Sequence, residues 1–315
     1  MKDIFAHDIL QGLTDYPKHL PSKYFYDAQG DLLFQQIMKL PEYYLTNCEF
    51  EIFEKQKEKI LQAFTTRKGN FHLIELGAGD GYKTKVLLKH LCANDVQFEY
   101  VPVDISQNVL NHLQNNLKEE IPSLQVAPVN GDYFHALEQI SEHDRDRKVV
   151  LFLGSNIGNF NAENAHSFIK HIAGELNAGD LLFLGVDLKK EPSIILDAYN
   201  DKTGVTKAFN LNLLTRINSE LGGNFDIDSF KHYPVYNPES GECKSYLLSL
   251  KKQDVYIEDL NLSVSFEAYE SIHTEISKKY AFKELQQLAE NTNFKIIENF
   301  TDQKGYFVDA LWEKK

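Results

Sequence analysis

Phe71-His72-Leu73-Ile74-Glu75-Leu76-Gly77-Ala78-Gly79-Asp80-Gly81-Tyr82 is the stretch that decides the fold. Residues 71–76 form a short apolar run of strand length, suited to burial on both faces. The three glycines that follow let the backbone turn sharply into the next helix and come close to a ligand. That helix carries Val86, Leu87 and Leu91. Downstream the alternation repeats. A strand over 98–103 leads to a helix with Val109, Leu110, Leu113 and Leu117 on one face, and further strands are expected near 124–129, 149–153 and 181–186. Strands alternating with helices imply the α/β class, with a doubly wound and mostly parallel sheet. Such sheets bind ligands beyond the carboxyl ends of their strands.

After Leu188 the alternation fails. One helical stretch over 193–221 is expected, then strands over 244–250, 262–266 and 273–280. It resumes with a helix over 282–290 and strands over 294–300 and 305–312. Near the start, Thr46-Asn47-Cys48-Glu49 has the Ser/Thr-x-x-Glu form of a capping box, opening a helix to about Phe64. The expected organisation is a sheet domain from 61–190 and 281–315, with a smaller α+β lid domain from 1–60 and 191–280.

Composition narrows the function. The chain has 315 residues, 43% of them hydrophobic and 25% charged, in the ordinary globular range. A net charge of −13 without a basic stripe suits nucleic-acid phosphates poorly. No run of 18 apolar residues suggests a membrane span, and the first residues lack the apolar core of a signal peptide. Three widely spaced cysteines argue against a disulfide framework. Eleven histidines show no ligand spacing, so no metal is expected. No G-x-S-x-G elbow points to a hydrolase. The expectation is a cytoplasmic protein acting on a small polar molecule, with no membrane, nucleic acid or obligate protein partner.

The glycine loop is G-x-G-x-G, with Tyr82 where a dinucleotide fingerprint needs glycine or alanine, and with Glu75 two residues ahead. It resembles the first motif of S-adenosylmethionine methyltransferases, where the loop, here Gly77 and Gly79, faces the amino-acid half of the cofactor. Asp104 ends the second strand, where a carboxylate can accept both ribose hydroxyls. Asp132 follows the third and can receive an adenine amino group. Either aspartate can instead be a helix N-cap, the commoner role of a lone aspartate there. Lys83 can pair with the cofactor carboxylate or be a solvated helix lysine. Asn159, in Gly154-Ser155-Asn156-Ile157-Gly158-Asn159, offers a donor and an acceptor at the mouth of the crevice, or simply forms a turn. Glu275 and Ser277 lie two apart on an expected strand, so they share a face, toward a ligand or toward solvent. Tyr24, Tyr26, Tyr43 and Tyr44 cluster near the start as an aromatic lid or as packing.

Together these residues resemble the histidine-specific methyltransferases of ergothioneine biosynthesis, over nearly the whole chain. The most specific segments are 20–27 (LPSKYFYD), 40–44 (LPEYY) and 152–159 (FLGSNIGN), joined by 208–210 and 274–277. The resemblance implies a Rossmann-like methyltransferase domain plus a lid. It implies a cofactor site of Tyr26, Gly77, Lys83, Asp104, Asp132 and Tyr133. Tyr43, Asn159 and Tyr199 would hold the substrate's amino and carboxylate groups, and Glu275 and Ser277 the imidazole, with Thr206 nearby. Tyr26 and Asn159 stand closest to the chemistry, the transfer of methyl groups to a free amine up to a trimethyl betaine. The cationic product can rest on the face of Tyr26 or Tyr43. Ser245 departs from the apolar side-pocket residue of some relatives. The rival expectations are a methyltransferase of another amine and a non-catalytic scaffold.

Overall fold

A computed structural model describes residues 2–67, 69–143 and 146–315. Helices α1 (Lys2–Thr14), α2 (Ala28–Ile37) and α3 (Tyr44–Phe64) precede the first strand, β1 (Phe71–Leu76). Then come α4 (Thr84–Ala93), β2 (Phe98–Asp104), α5 (Gln107–Glu120), β3 (Gln125–Val126), β4 (Val129–Asn130), α6 (Tyr133–His143), β5 (Arg147–Phe152), α7 (Ala162–Glu175) and β6 (Leu181–Asp187). The middle of the chain holds α8 (Pro192–Tyr199), α9 (Val205–Leu221), β7 (Phe230–Asn237), β8 (Glu242–Ser249), β9 (Gln253–Ile257), β10 (Leu262–Phe266) and β11 (Ser271–Lys278). α10 (Phe282–Asn291), β12 (Phe294–Thr301) and β13 (Phe307–Lys314) finish it.

Two compact units result, Met1–Tyr44 with Lys190–Lys278, and Leu45–Lys189 with Lys279–Lys315. The second unit is Rossmann-like. Its sheet runs β12-β13-β6-β5-β1-β2-β3, with β4 also on β2. β1 pairs parallel with β2 and β5, while β13 enters antiparallel against β6. Every residue of β6 is buried, as befits a strand covered on both faces. Its core gathers residues such as Ile74, Val103, Phe152, Leu184 and Trp312, all at most 1% exposed. The first unit has its own core around Phe25, Phe209, Leu247, Phe266 and Ile272. There a three-stranded sheet β11-β8-β7 and a hairpin β9-β10 accompany α1, α2, α8 and α9.

The structure departs from the expected elements in five places. α3 starts at Tyr44, ahead of the Thr46 capping box, and its Glu49 makes other bonds, described below. Residues 45–60, expected with the N-terminal unit, go with the sheet: Phe53 packs on Phe183 of β6 at a ring-centroid distance of 6.2 Å, as Phe64 at the end of the same helix does at 5.3 Å. The expected strand over 124–129 is two short ones, with Pro128 between them unable to donate to β2. The expected helix over 193–221 breaks at Gly204, whose φ of +80° no helix accommodates. β7 and β9 were not expected. β7 is an edge strand, where Lys231 and Pro234 are tolerated and the apolar alternation is diluted.

Candidate active site

The sheet unit carries the glycine loop at the end of β1. Gly77, Gly79 and Gly81 all hold positive φ, at 76°, 54° and 64°. At Gly77 a Cβ would also stand 2.8 Å from the Tyr133 hydroxyl, so the position admits no side chain. Nothing lies within 4 Å of a Cβ built on Gly79, which leaves that face of the loop open. Asp104, ending β2, braces the loop. Its Oδ2 accepts from the Gly79 N–H at 3.3 Å and its Oδ1 from the Ser106 N–H at 2.9 Å. The N-cap of α5 is Ser106, so Asp104 is not a helix cap. Asp132 is one. Its Oδ1 accepts from the N–H groups of Phe134 and His135, at 3.0 and 3.2 Å, at the start of α6. Its Oδ2 meets His135 Nδ1 at 2.5 Å, and these bonds hold its carboxyl below the usual range. Tyr133 packs edge-on to Phe152 and Phe168 at 5.7 and 6.0 Å. Burial, with Asp104 adding to it, pushes its phenol up to about 12.

Beneath the loop, Glu75 is 4% exposed. The Thr84 hydroxyl donates to its Oε1 at 2.6 Å and the Tyr100 hydroxyl to its Oε2. Burial still prevails over these bonds and raises its pKa to about 7. Lys83 sits beside the loop, and its ammonium bonds Glu49 of α3. Burial opposes the charged lysine, but the Glu49 carboxylate reverses the balance and leaves the pKa raised. After β5 the chain turns through Gly154 and Ser155, both in the left-handed region (φ 72° and 60°). The buried Ser155 Oγ accepts from the Asp187 N–H at 3.0 Å, which secures a non-glycine residue in that conformation. Asn159 closes the short 3₁₀ turn that follows and is exposed.

The other expected residues belong to the first unit. Tyr26, expected with the cofactor groups, is there too. The residue is 46% exposed, and its ring packs edge-on to Phe34 and Phe209 at 5.5 and 5.7 Å. Tyr43 meets the same Phe34 at 6.3 Å. On β11, a bulge between His273 and Glu275 resets the register. Beyond it Glu275 opposes Ser245 and Ser277 opposes Cys243, so Glu275 and Ser277 share a face. The Ser245 hydroxyl donates to Glu275 Oε2 at 3.5 Å, and the Tyr199 hydroxyl to Ser277 Oγ at 2.7 Å. Thr206 is buried at the start of α9, its N–H donating to Asp201 Oδ1 at 2.8 Å. Asn210 went without a role in the sequence reading. Buried, it accepts from the Thr274 hydroxyl at 3.0 Å and so ties α9 to the strand bearing Glu275. A polar residue amid the apolar positions of α9 was the signal that could have found it.

Parallel strands whose ends carry an acid-braced glycine loop, without the dinucleotide fingerprint, fit a methyltransferase that uses S-adenosylmethionine, and the family match shows that class. The donor set suits that molecule: an ammonium at Lys83 for a carboxylate, carboxylate oxygens at Asp104 for hydroxyls, and an open face over Gly79. Residues 5–314 match the family model described as "Histidine-specific methyltransferase, SAM-dependent", and the chain belongs to that family. It is 37% identical over 278 residues (88% of this chain, 85% of the relative) to the "Histidine N-alpha-methyltransferase" of Mycolicibacterium smegmatis. It is 35% identical over 307 residues (98% and 94%) to the protein of the same description from Mycobacterium tuberculosis. A more distant relative, 26% identical over 324 residues (95% and 90%), is the "L-tryptophan methyltransferase trpM" of Psilocybe serbica.

Proposed function

We propose that this enzyme methylates the α-amino group of free L-histidine, up to the trimethyl betaine. The observation that carries the reading is the pairing of Glu275 and Ser277 on one face of β11, braced by Ser245 and Tyr199. A carboxylate and a hydroxyl so placed match the two nitrogens of an imidazole, one as acceptor and one as hydroxyl partner. The relatives described as histidine Nα-methyltransferases support it.

When bound, S-adenosylmethionine supplies an electrophilic methyl group on a sulfonium sulfur. In the proposed arrangement Gly77, Gly79, Lys83, Asp104, Asp132 and Tyr133 hold the cofactor. Tyr43, Asn159 and Tyr199 hold the amino acid's ammonium and carboxylate, with Thr206 beside the ring pocket. Tyr26 lies next to the reacting nitrogen and offers its ring face to the cationic product. The amine reacts as the free base, its proton passing to water, and no chain residue is assigned as base. Among the described residues no helix is long and apolar enough to cross a membrane. The enzyme is proposed to work in the cytoplasm on a small amino-acid substrate, without an obligate protein partner.

The tryptophan relative keeps a second reading in view, a different amino acid in the same pocket. Glu275→Ala separates the two. For a histidine enzyme it lowers kcat/KM for histidine by roughly 10- to 150-fold, the worth of a charge-assisted hydrogen bond. Turnover of phenylalanine, which offers no ring N–H, changes far less, and mass spectrometry of the wild-type product counts the methyl groups. Equal losses on both substrates would place Glu275 in the scaffold and remove the physical basis for histidine.

A further inference from the structure

Glu49 belongs to the tetrapeptide that reads as a capping box, yet it caps nothing. It is wholly buried, at 0% exposure, and makes two bonds to the ligand-facing end of the sheet unit. Its Oε1 accepts from the Gly154 N–H at 2.8 Å, at the first left-handed residue of the turn that ends in Asn159. Its Oε2 bonds the ammonium of Lys83. One carboxylate therefore fixes both the lysine beside the glycine loop and the turn after β5.

A second carboxyl is buried beside it. Asp309 of β13, also 0% exposed, lies opposite Gly185 of β6 in the sheet register. A Cβ built on Gly185 would stand 2.3 Å from Glu49 Oε1 and 3.1 Å from Asp309 Oδ1, so only glycine leaves room for the pair. If both carboxyls were ionised, neither oxygen of Asp309 would have a donor. With Asp309 protonated, it donates to Glu49. Burial first, then the charge of Glu49, pushes the Asp309 carboxyl well above the usual range, against the opposing pull of Lys83. Lys83, Glu49 and a neutral Asp309 then sum to zero charge, the arrangement that a buried cluster tolerates.

We propose that Glu49 is a positioning residue for the cofactor's amino-acid half, holding the Lys83 ammonium in place beside the glycine loop while it anchors the turn at Gly154. A free lysine loses rotamer freedom when it is fixed, and its burial favours the uncharged amine. Glu49 removes both handicaps before any ligand arrives. The inference rests on the proposed role of Lys83 toward the cofactor carboxylate.

The test uses the full-length enzyme and two probes, S-adenosylhomocysteine and 5′-methylthioadenosine, which lacks the amino-acid half, with affinities from calorimetry. Lys83→Ala should weaken S-adenosylhomocysteine by at least about 10-fold and leave methylthioadenosine within about 2-fold. Glu49→Gln, whose amide oxygen still accepts from Gly154, should show the same selective loss. Asp309→Asn, which keeps an N–H donor toward Glu49, should bind both probes as the wild type does. If Glu49→Gln does not fold, Glu49→Asp draws the charge back by one methylene and should show a smaller loss with the same selectivity. If Lys83→Ala changes both probes alike or neither, the assignment of Lys83 fails. If Lys83→Ala is selective but the Glu49 variants bind S-adenosylhomocysteine at least as tightly as the wild type, or lose both probes equally, the role of Glu49 is overturned. If Asp309→Asn weakens binding as much as Glu49→Gln does, the neutral state of Asp309 is overturned.

Discussion

Replacing Glu75 by glutamine should raise the stability of the sheet unit relative to the wild type progressively as pH rises. The carboxyl titrates at about 7 in the folded enzyme against an ordinary value of 4.5. A folded pKa above the unfolded one gives a contribution that is fully present below about pH 4.5 and is lost as pH rises through about 7. The shift of about 2.5 units corresponds to about 3 kcal/mol at 1.36 kcal/mol per unit, of which roughly 2.5 falls between pH 5 and 8. Glutamine is neutral in both states and sheds this dependence. It can still accept from the Thr84 hydroxyl, but its amide must reverse the bond to Tyr100, a pH-independent cost of about 0.5–1.5 kcal/mol. The phenol of Tyr100 lies well above its usual value of 10.0 through burial and the adjacent carboxylate, so it does not titrate in this window. Glu75→Gln should thus be slightly less stable than the wild type at pH 5 and more stable at pH 8. Urea denaturation at pH 5, 6, 7 and 8 would measure it, followed by fluorescence of Trp312, the single tryptophan, which is fully buried on β13. A stability difference that stays constant from pH 5 to 8 would show that Glu75 is ionised throughout and refute the reasoning.

Two other substitutions test separate parts of the molecule. Asp104→Ala should weaken S-adenosylhomocysteine by roughly 1.5–3 kcal/mol, since it removes a charged acceptor and the brace on Gly79. Unchanged affinity in calorimetry would take Asp104 out of the cofactor site. In the first unit His232 is 5% exposed, and neither ring nitrogen has a hydrogen-bond partner among the described residues. Burial lowers its pKa from 6.5 to about 4. The stability tied to the neutral ring is present above pH 6.5 and lost as pH falls through about 4, a change of about 3 kcal/mol. His232→Phe should flatten the denaturation midpoint over that range, as followed by circular dichroism, and an unchanged slope would refute it.

The parallel core was legible because its signals are local. Residues 71–76 and 181–186 are apolar runs with no competing reading, and the glycine loop needs its positive φ angles wherever it occurs. The middle segment was less legible. Its edge strand β7 alternates in burial, but Lys231, Tyr233 and Pro234 blur that alternation in the residue types, and Gly204 breaks an otherwise uniform helical pattern. For Asp132 the sequence left a cap and a ligand group open; in the structure it caps α6, and its part in the cofactor site is a proposal. The role of Glu49 was hidden for a different reason. Its partners Lys83, Gly154 and Asp309 are scattered over most of the chain, and the nearest local pattern, a capping box, supplied an adequate but wrong account.

The antiparallel entry of β13 also bears on how the chain is made. β6 ends at Asp187, yet its outer neighbour begins only at Phe307, ~120 residues later. At a synthesis rate of roughly 5–20 residues per second, the ribosome exposes β6 as an unpaired, largely apolar edge for about 6–24 s. Such an edge is a template for pairing with other chains. During that interval the emerging β7–β11 segment can complete its own pairings, while the sheet waits for its last two strands. Truncation anywhere before residue 307 would leave β6 open permanently, and the expected product is an aggregate.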